Sequence, residues 1–331
     1  MKKVLVVVGV VLSLAVVGLV GWFVARTSVR FAKERRMADE SWRQQHPARI
    51  ANLGAVKRLT VLPLLDYFAV DPSLATQGGV SYLVKADDTK ILFDVGGNPK
   101  EEHPLPLVAN AAKLGVDLGG VSFIVISHLH WDHVGNLGEL LGTQPGAESL
   151  KQAKLYLPAP MRKGPVNAKV LTGPTVLASG VASIGPITKA YWWMGTVVEQ
   201  ALAVNVEGKG IVLIVGCGHQ SLERILRRAE EIFDAPVYGV IGGLHYPATG
   251  FRDAPGYLTL LIRMSATGKQ PWHGLFGKSA VRRAIAMLEQ RHPGVVALSP
   301  HDSCDWTVGE FRRSFGERYR EILVGREIVV M

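Results

Sequence analysis

The stretch that decides the fold is Phe123-Ile124-Val125-Ile126-Ser127-His128-Leu129-His130-Trp131-Asp132-His133, in which an apolar run leads directly into three histidines and an aspartate. Alternate residues of an extended segment point the same way, so His128 and His130 are predicted to face one metal ion through their ring nitrogens. The chain must then turn, and Asp132 and His133 are predicted to face a second ion nearby. A polar surface loop is the weaker alternative, because four ligand-type residues have no packing role at the end of a buried strand.

Three further histidines lie just past the carboxyl ends of predicted strands. Open α/β layers place their functional sites at these ends. A single histidine of this kind would more often be structural, but three together favour a shared site. They are His219, which follows Gly216-Cys217-Gly218, His245, which follows Gly242-Gly243-Leu244, and His301, which follows Ser299-Pro300.

The rest of the chain alternates short apolar runs, rich in β-branched residues, with helical patterns. Helices are predicted over 106–114, 220–233 and 278–291. The segment 249–274 breaks the pattern and is predicted to be a loop or lid. The body is therefore expected to be a layered α/β domain, with strands over 59–65, 80–84, 91–93, 123–126, 201–206, 211–215, 237–241, 295–298 and 327–330.

The amino-terminal segment 4–25 has no charged residue and one hydroxyl, that of Ser13. At about 1.5 Å per residue a helix of this length reaches about 33 Å, enough to cross a bilayer core of about 30 Å. A cleaved signal peptide is the alternative, but Phe23-Val24-Ala25 fits its cleavage pattern badly. We therefore expect a transmembrane anchor over 1–26, a juxtamembrane helix and linker over 27–57 and a catalytic domain over 58–331. Basic residues on both flanks leave the side of the membrane open.

Composition excludes several classes of protein. The chain has 331 residues, of which 48% are hydrophobic, and two cysteines, so it is neither a disordered tail nor a disulfide-stapled mini-protein. The net charge is +9, but residues 1–58 carry +8 of it. The body has no field to attract a polyanion, so no nucleic-acid partner is expected.

The pattern His-x-His-x-Asp-His over 128–133 resembles the hallmark of the metallo-β-lactamase superfamily of dinuclear metal hydrolases. The segment Ile91-Leu92-Phe93-Asp94-Val95-Gly96 is similar to its strand-Asp-x-Gly signature. The order of the segments 93–96, 110–116, 216–219, 242–245 and 299–301 resembles one subgroup, named after dihydropterin ribofuranosylaminobenzene phosphate synthase. The resemblance runs from about Leu59 to the end. It implies a four-layer αββα sandwich with the metal ions in a groove at one edge of two facing sheets.

The resemblance also implies roles for single residues. One ion would be held by His128, His130 and His219, and the other by Asp132, His133 and His301. Asp132 would also be the catalytic residue, and Asp94 would support the metal loop without binding an ion. His245 and Asp66 are further candidates for a metal or substrate contact.

The sequence departs from the superfamily pattern in three places. Cys217 stands where an aspartate usually bridges the ions, so it either binds an ion or only packs. No histidine lies between His133 and His219, so His219 must serve as the usual middle ligand or that ligand is missing. His301 is followed by Asp302-Ser303-Cys304, where the subgroup commonly has Cys-Thr-Gly.

The resemblance implies a metal-dependent hydrolase, in which a metal-bound hydroxide attacks a small-molecule ester, lactone, amide or phosphoester. Together with the anchor expected from the apolar run, it predicts a membrane-anchored enzyme. Two divalent ions are expected, with zinc before iron or manganese. One alternative is a non-hydrolytic, pterin-related synthase or an iron-dependent redox enzyme on the same fold. A non-catalytic binding module is a weaker alternative, because the first motif is complete.

Overall fold

The computed structural model describes residues 2–142, 144, 146–162, 165, 167–252 and 256–331, with the backbone alone for 2–7 and 10. The α-helices are α1 Lys2–Gln44, α2 Pro106–Lys113, α3 Trp131–Val134, α4 Leu137–Gly142, α5 Leu222–Ile232, α6 Gly256–Ala266, α7 Lys278–Glu289 and α8 Asp305–Phe315. The strands are β1 Leu59–Leu65, β2 Ser81–Ala86, β3 Thr89–Phe93, β4 Val121–Val125, β5 Lys154–Leu157, β6 Lys169–Val170, β7 Thr175–Ala178, β8 Val181–Ser183, β9 Ile187–Tyr191, β10 Gly195–Glu199, β11 Leu202–Val206, β12 Gly210–Val215, β13 Val237–Gly242, β14 Val295–Leu298 and β15 Ile328–Val330. Short 3-10 helices occupy Glu148–Gln152, Pro271–His273 and Gly316–Arg318.

Two sheets face each other across the centre of the body. In the described residues the first has the strand order β15-β1-β2-β3-β4-β5-β6 and the second β14-β13-β12-β11-β8-β7. In β3, Ile91 and Phe93 belong to the core cluster between the sheets, whereas Leu92 belongs to the cluster on the outer face. Both faces of such a strand are buried, which explains why the central strands are apolar throughout and do not alternate.

Helices cover both outer faces. α2 and α4 pack against the first sheet around Leu107, Leu137 and Leu140. α5, α7 and α8 pack against the second sheet around Leu226 and Phe311. The order of layers is therefore helix, sheet, sheet, helix, and the predicted αββα sandwich is confirmed.

The prediction of a loop or lid over 249–274 is wrong in part, because α6 occupies Gly256–Ala266. The helix escaped detection because apolar residues cover most of its circumference, so no narrow apolar stripe distinguishes a buried face. Leu261 and Met264 pack against the body, whereas Tyr257 and Leu260 are exposed. Residues 253–255 of the predicted loop lie outside the described residues.

α1 continues without a break through the predicted boundary at residue 26 and ends at Gln44. Its segment Val11–Gln44 contains a window of mean hydropathy 1.7, long and apolar enough to cross a membrane by length and composition. After the apolar run the helix packs on the β9–β10 hairpin, where Phe31 is buried against Ala190 and Trp192. The indole Nε1 of Trp192 donates a hydrogen bond of 3.0 Å to Ser28 Oγ. The part of α1 that follows the apolar run thus contacts the body.

Candidate metal centre

The carboxyl ends of parallel strands bring the predicted site residues to one edge of the sandwich. β3 and β4 run parallel in the first sheet, and β12, β13 and β14 run parallel in the second. The loop after β4 carries the histidine motif, and the loops after β12, β13 and β14 carry Cys217 with His219, His245 and His301. This is the edge at which layered α/β folds place their sites.

The first donor group consists of His128, His130 and His219, each offering a ligand atom within 4.8 Å of the others. His128 Nε2 lies 3.0 Å from His130 Nδ1. Both ring nitrogens of His219 are buried and have no hydrogen-bond partner among the described residues. Burial lowers the pKa of His128 and His219 well below the usual value, so both imidazoles are neutral. A neutral imidazole has the free lone pair that a metal ion needs.

The second donor group consists of Asp132, His133, Cys217 and His301, again with ligand atoms within 4.8 Å of one another. Cys217 Sγ lies 3.1 Å from His133 Nε2 and 3.1 Å from His301 Nε2. Burial lowers the pKa of His133, but Cys217 and Asp132 raise it well above its usual value. The acidic groups around this imidazole therefore favour positive charge between them, which a divalent cation would supply. Cys217, whose role the sequence left open, lies among the donors.

Asp94 lies behind the motif and orients two of its imidazoles. Its Oδ2 accepts a hydrogen bond of 2.7 Å from Ser127 Oγ and lies 2.7 Å from His133 Nδ1. Since Ser127 Oγ donates to Asp94, it accepts from His128 Nδ1 at 2.9 Å. Both rings thus use Nδ1 for support, and Nε2 is directed toward the donor groups, as supporting carboxylates do in metal sites. Asp94 adopts a positive φ of 57°, which aspartate tolerates better than most residues.

A second series of hydrogen bonds, from a buried carboxylate through a serine, supports His301. Ser299 Oγ donates to Asp66 Oδ2 at 2.7 Å and accepts from His301 Nδ1 at 2.6 Å. Tyr82 also donates to Asp66 Oδ2, at 2.7 Å. Burial raises the pKa of Asp66 to about 6, although these hydrogen bonds act to lower it. Asp66, a candidate for a metal or substrate contact, therefore lies behind His301 and outside both donor groups.

Glu199 at the end of β10 is a site residue that the sequence analysis missed. Its Oε1 accepts the N–H groups of Cys217 at 3.0 Å and Gly218 at 2.9 Å, and its Oε2 accepts that of His219 at 2.6 Å. Burial raises the pKa of this carboxyl to about 7, against the effect of the three N–H donors. The only sequence signal was an acidic residue directly after the apolar pair Val197-Val198. Glu199 fixes the loop that carries one ligand candidate of each donor group.

Two glycines in the predicted motifs allow the loops to meet. A Cβ on Gly216 would lie 2.2 Å from Ser127 Oγ. A Cβ on Gly243 would lie 2.2 Å from the carbonyl oxygen of Gly216 and 2.5 Å from Asp302 Oδ2. A side chain at Gly216 would push its loop away from Ser127 and the histidine motif, and one at Gly243 would push apart the loops of the second sheet that carry Gly216 and Asp302.

His245 lies beside the first donor group. Its ring centroid is 4.7 Å from that of His219, and its backbone N–H donates a hydrogen bond of 2.7 Å to Asp302 Oδ2. Its Nε2 is buried and has no hydrogen-bond partner within the described part of the chain. Burial lowers the pKa of His245 to about 4, so this ring is also neutral. The position suits a substrate contact better than membership of either donor group.

A cavity of about 220 Å³ opens onto both donor groups. Residues of each group line it, among them His130 and His219 of the first and Asp132 of the second. The remaining wall is mainly apolar, formed by Trp193, Met194, Phe251 and Ile262. The donor atoms are thus accessible to a small molecule.

The comparisons with known proteins agree with this geometry. Residues 75–222 match the family model described as the metallo-β-lactamase superfamily. The predicted resemblance to the metallo-β-lactamase superfamily is confirmed over this part of the chain. Superfamily members are commonly metal-dependent hydrolases and the fold implies divalent metal binding, which the two donor groups fit.

Relatives support the superfamily and the subgroup. The 7,8-dihydropterin-6-methyl-4-(β-D-ribofuranosyl)-aminobenzene-5'-phosphate synthase of Methanocaldococcus jannaschii is 24% identical over 59% of this chain and 80% of its own length. Tm1679, a metal-dependent hydrolase of the β-lactamase superfamily, has a TM-score of 0.56 at 19% identity and covers 82% of this chain and 98% of its own. YhfI from Bacillus subtilis, a metallo-β-lactamase fold protein, has a TM-score of 0.50 at 14% identity and covers 83% and 100%. The superfamily and the subgroup predicted from the motifs are thus confirmed, and the structural likenesses show the shared fold.

Proposed function

We propose that this superfamily member is a metal-dependent hydrolase with one divalent ion at each donor group. The observation that carries the proposal is the convergence of two adjacent donor groups with supported imidazoles at the base of an accessible cavity. His128, His130 and His219 would hold one ion, and Asp132, His133, Cys217 and His301 the other. Nitrogen, sulfur and carboxylate donors together favour zinc before iron or manganese.

The chemistry follows from the positions of the donors and their neighbours. Bound divalent ions would lower the pKa of a water molecule and polarise the substrate oxygen. Asp132 has a side chain 33% exposed and lines the cavity, so it would orient the attacking water. Hydrolysis forms a bond from the water oxygen to the acyl or phosphoryl centre and breaks the bond to the leaving group, which takes up a proton. His245 Nε2 would bind the substrate beside this centre.

Metal content and hydrolysis test this proposal together. We expect elemental analysis of the purified full chain to find zinc, and a panel of chromogenic esters, lactones and phosphodiesters to include a substrate. Removal of the metal with a chelator should abolish turnover, and addition of zinc should restore it. Turnover that survives complete metal removal would contradict the proposal.

A non-hydrolytic synthase is the second candidate, since the M. jannaschii relative is named as a synthase. The same samples discriminate between the two. Iron in the purified protein, with no hydrolysis of any substrate in the panel, would favour a synthase or redox enzyme on this fold.

We further propose that α1 anchors the domain in a membrane by a single span. Most described side chains of residues 8–25 are exposed, as those of a lipid-facing helix would be, whereas Phe31 is 1% exposed. No nucleic-acid partner is proposed for the body, because residues 59–331 carry a net charge of only +1.

Deletion of residues 1–26 is expected to give a soluble, folded and metal-loaded body, because Ser28 and Phe31 stay in place on the hairpin. Deletion of residues 1–44 is the control: it removes Phe31 from Trp192 and should lower the melting temperature. Size-exclusion chromatography and thermal unfolding measure both. A 27–331 protein that aggregates while the shorter one stays monomeric would contradict this division of the chain.

A further inference from the structure

The catalytic cavity has an apolar entrance. Trp193 is 44% exposed and lines the cavity together with Met194, Phe251 and Ile262. Among the described residues, no lysine or arginine lines this cavity. Away from the donor groups, these walls offer an anionic group no basic side chain, whereas an acyl or alkyl chain would find apolar contacts.

This entrance lies beside α1 at the end of its uncharged run. The ring centroids of Trp193 and Phe23 are 6.2 Å apart. The Arg30 guanidinium donates to the carbonyl oxygen of Trp193 at 3.5 Å. With 4–25 in the bilayer core, Trp193 lies at the level of the headgroups, where tryptophan is enriched in membrane proteins.

α6 forms the other side of the entrance and exposes apolar side chains next to α1. Ile262 lines the cavity, while Leu261 and Met264 pack into the cluster that contains Val24 and Phe31 of α1. Arg263 is the one charged residue of this helix, and its Nε donates to the carbonyl oxygen of Phe276. The α6 face is defined by four exposed residues of this helix and the segment after it: Tyr257 at 73%, Leu260 at 47%, Trp272 at 65% and Leu275 at 40%.

We propose that the α6 face lies in the membrane interface beside α1, and that the cavity takes the acyl or alkyl chain of an amphiphilic substrate directly from the bilayer. The inference deepens the proposed hydrolase and rests on it, because the hydrolysable group of this amphiphile would reach the donor groups. A bilayer is the occupant of the α6 face because the face is continuous with the helix that enters the membrane. Exposed aromatic and aliphatic side chains at that level gain free energy by leaving water.

Chain length of the substrate tests the inference in the full-length protein. The probes are 4-nitrophenyl acetate and 4-nitrophenyl dodecanoate, both with protein reconstituted in phosphatidylcholine vesicles. We expect kcat/KM to be at least about tenfold higher for the dodecanoate. The double variant Tyr257→Glu, Leu260→Glu should lower the dodecanoate-to-acetate ratio by at least about tenfold. Val176→Glu, which charges an exposed apolar residue on another face, should leave the ratio unchanged.

A measurement without turnover separates this inference from the hydrolase itself. Cys217 already lines the cavity, and Met194→Cys adds a second thiol to its wall. The maleimide labelling that this variant gains over the wild-type protein should be slowed by dodecanoate but not by acetate. If neither ester is hydrolysed and dodecanoate still protects, the hydrolase fails while the chain-binding cavity stands. Equal turnover of both esters, or no protection by dodecanoate, would overturn the inference and leave the hydrolase intact.

The position of the α6 face is tested with a fluorophore on Tyr257→Cys in vesicles that contain brominated lipid. We expect strong quenching there and none at Lys151→Cys, an exposed control on the layer outside the first sheet. A fluorophore at 257 that brominated lipid leaves bright would refute the membrane contact. Shielding from aqueous quenchers without lipid quenching would instead indicate a second copy of the chain on this face.

Discussion

Replacing Asp132 with alanine is expected to lower kcat/KM by about a thousandfold, while the protein stays folded. The carboxylate lines the cavity, and His133 and His301 beside it lower its pKa against the effect of burial. The link between this residue and the fold is its backbone carbonyl, which accepts the N–H of Val80 at 3.1 Å. Alanine keeps that link, so the loss should fall on chemistry and metal binding. Kinetics with the panel substrate, elemental analysis and thermal unfolding measure the three quantities.

Asp117→Ala is the matched control, since it removes a carboxylate that is 80% exposed and paired with Lys90 at 3.8 Å. It should change turnover by less than about twofold, as surface substitutions generally do. Asp132→Asn keeps the shape and loses the charge, so it should resemble alanine in rate and exceed it in metal retention. A fully metal-loaded Asp132→Ala protein with undiminished turnover would refute the role assigned to this carboxylate.

The sequence predicted those parts of the centre whose signal is local. A strand that runs directly into His128, His130, Asp132 and His133 shows both the element and its chemistry within eleven residues. The predicted strands ending near 215 and 298 are similar, because β-branched runs and the histidines after them are adjacent in the chain. The layered arrangement could also be predicted, since a strand that is buried on both faces has a continuous apolar sequence.

The parts of the centre that the sequence did not predict are contacts between distant segments. Glu199 reaches Cys217 across β11 and β12, and Asp66 reaches His301 through Ser299, 233 residues away. Nothing in the residues themselves states which strand ends meet, because sheet order and register are decided by the whole fold. The same reason explains why Cys217 stayed ambiguous until its distances to His133 and His301 were known.

The prediction of a loop at α6 was wrong for a different reason. Its apolar residues face the body, the cavity and the exterior, so the pattern that predicts a helix from one buried stripe is absent. If Tyr257 and Leu260 lie in the membrane interface as proposed, the sequence of α6 follows the rules of a bilayer surface and not those of a soluble domain.

Replacing Glu199 with glutamine is expected to weaken metal binding by about 10- to 100-fold, the usual effect of losing a group that orients ligands. The carboxylate accepts three backbone N–H groups, and an amide presents N–H donors to at least one of them. The loop with Cys217 and His219 would lose its fixed position in both donor groups. An unsatisfied buried N–H should also lower the free energy of unfolding of the metal-free protein by about 1–3 kcal/mol.

Competition with a chromophoric chelator measures the affinity, and urea unfolding of the metal-free protein measures the stability, so the two effects separate. Glu207→Gln, the same change at an exposed position of the β11–β12 turn, should leave both quantities unchanged. Loss of affinity with unchanged stability would assign Glu199 to orientation of the ligands alone. Unchanged affinity in a stably folded Glu199→Gln protein would instead show that the loop holds its position without this carboxylate, and the link from β10 to the metal centre would have to be abandoned.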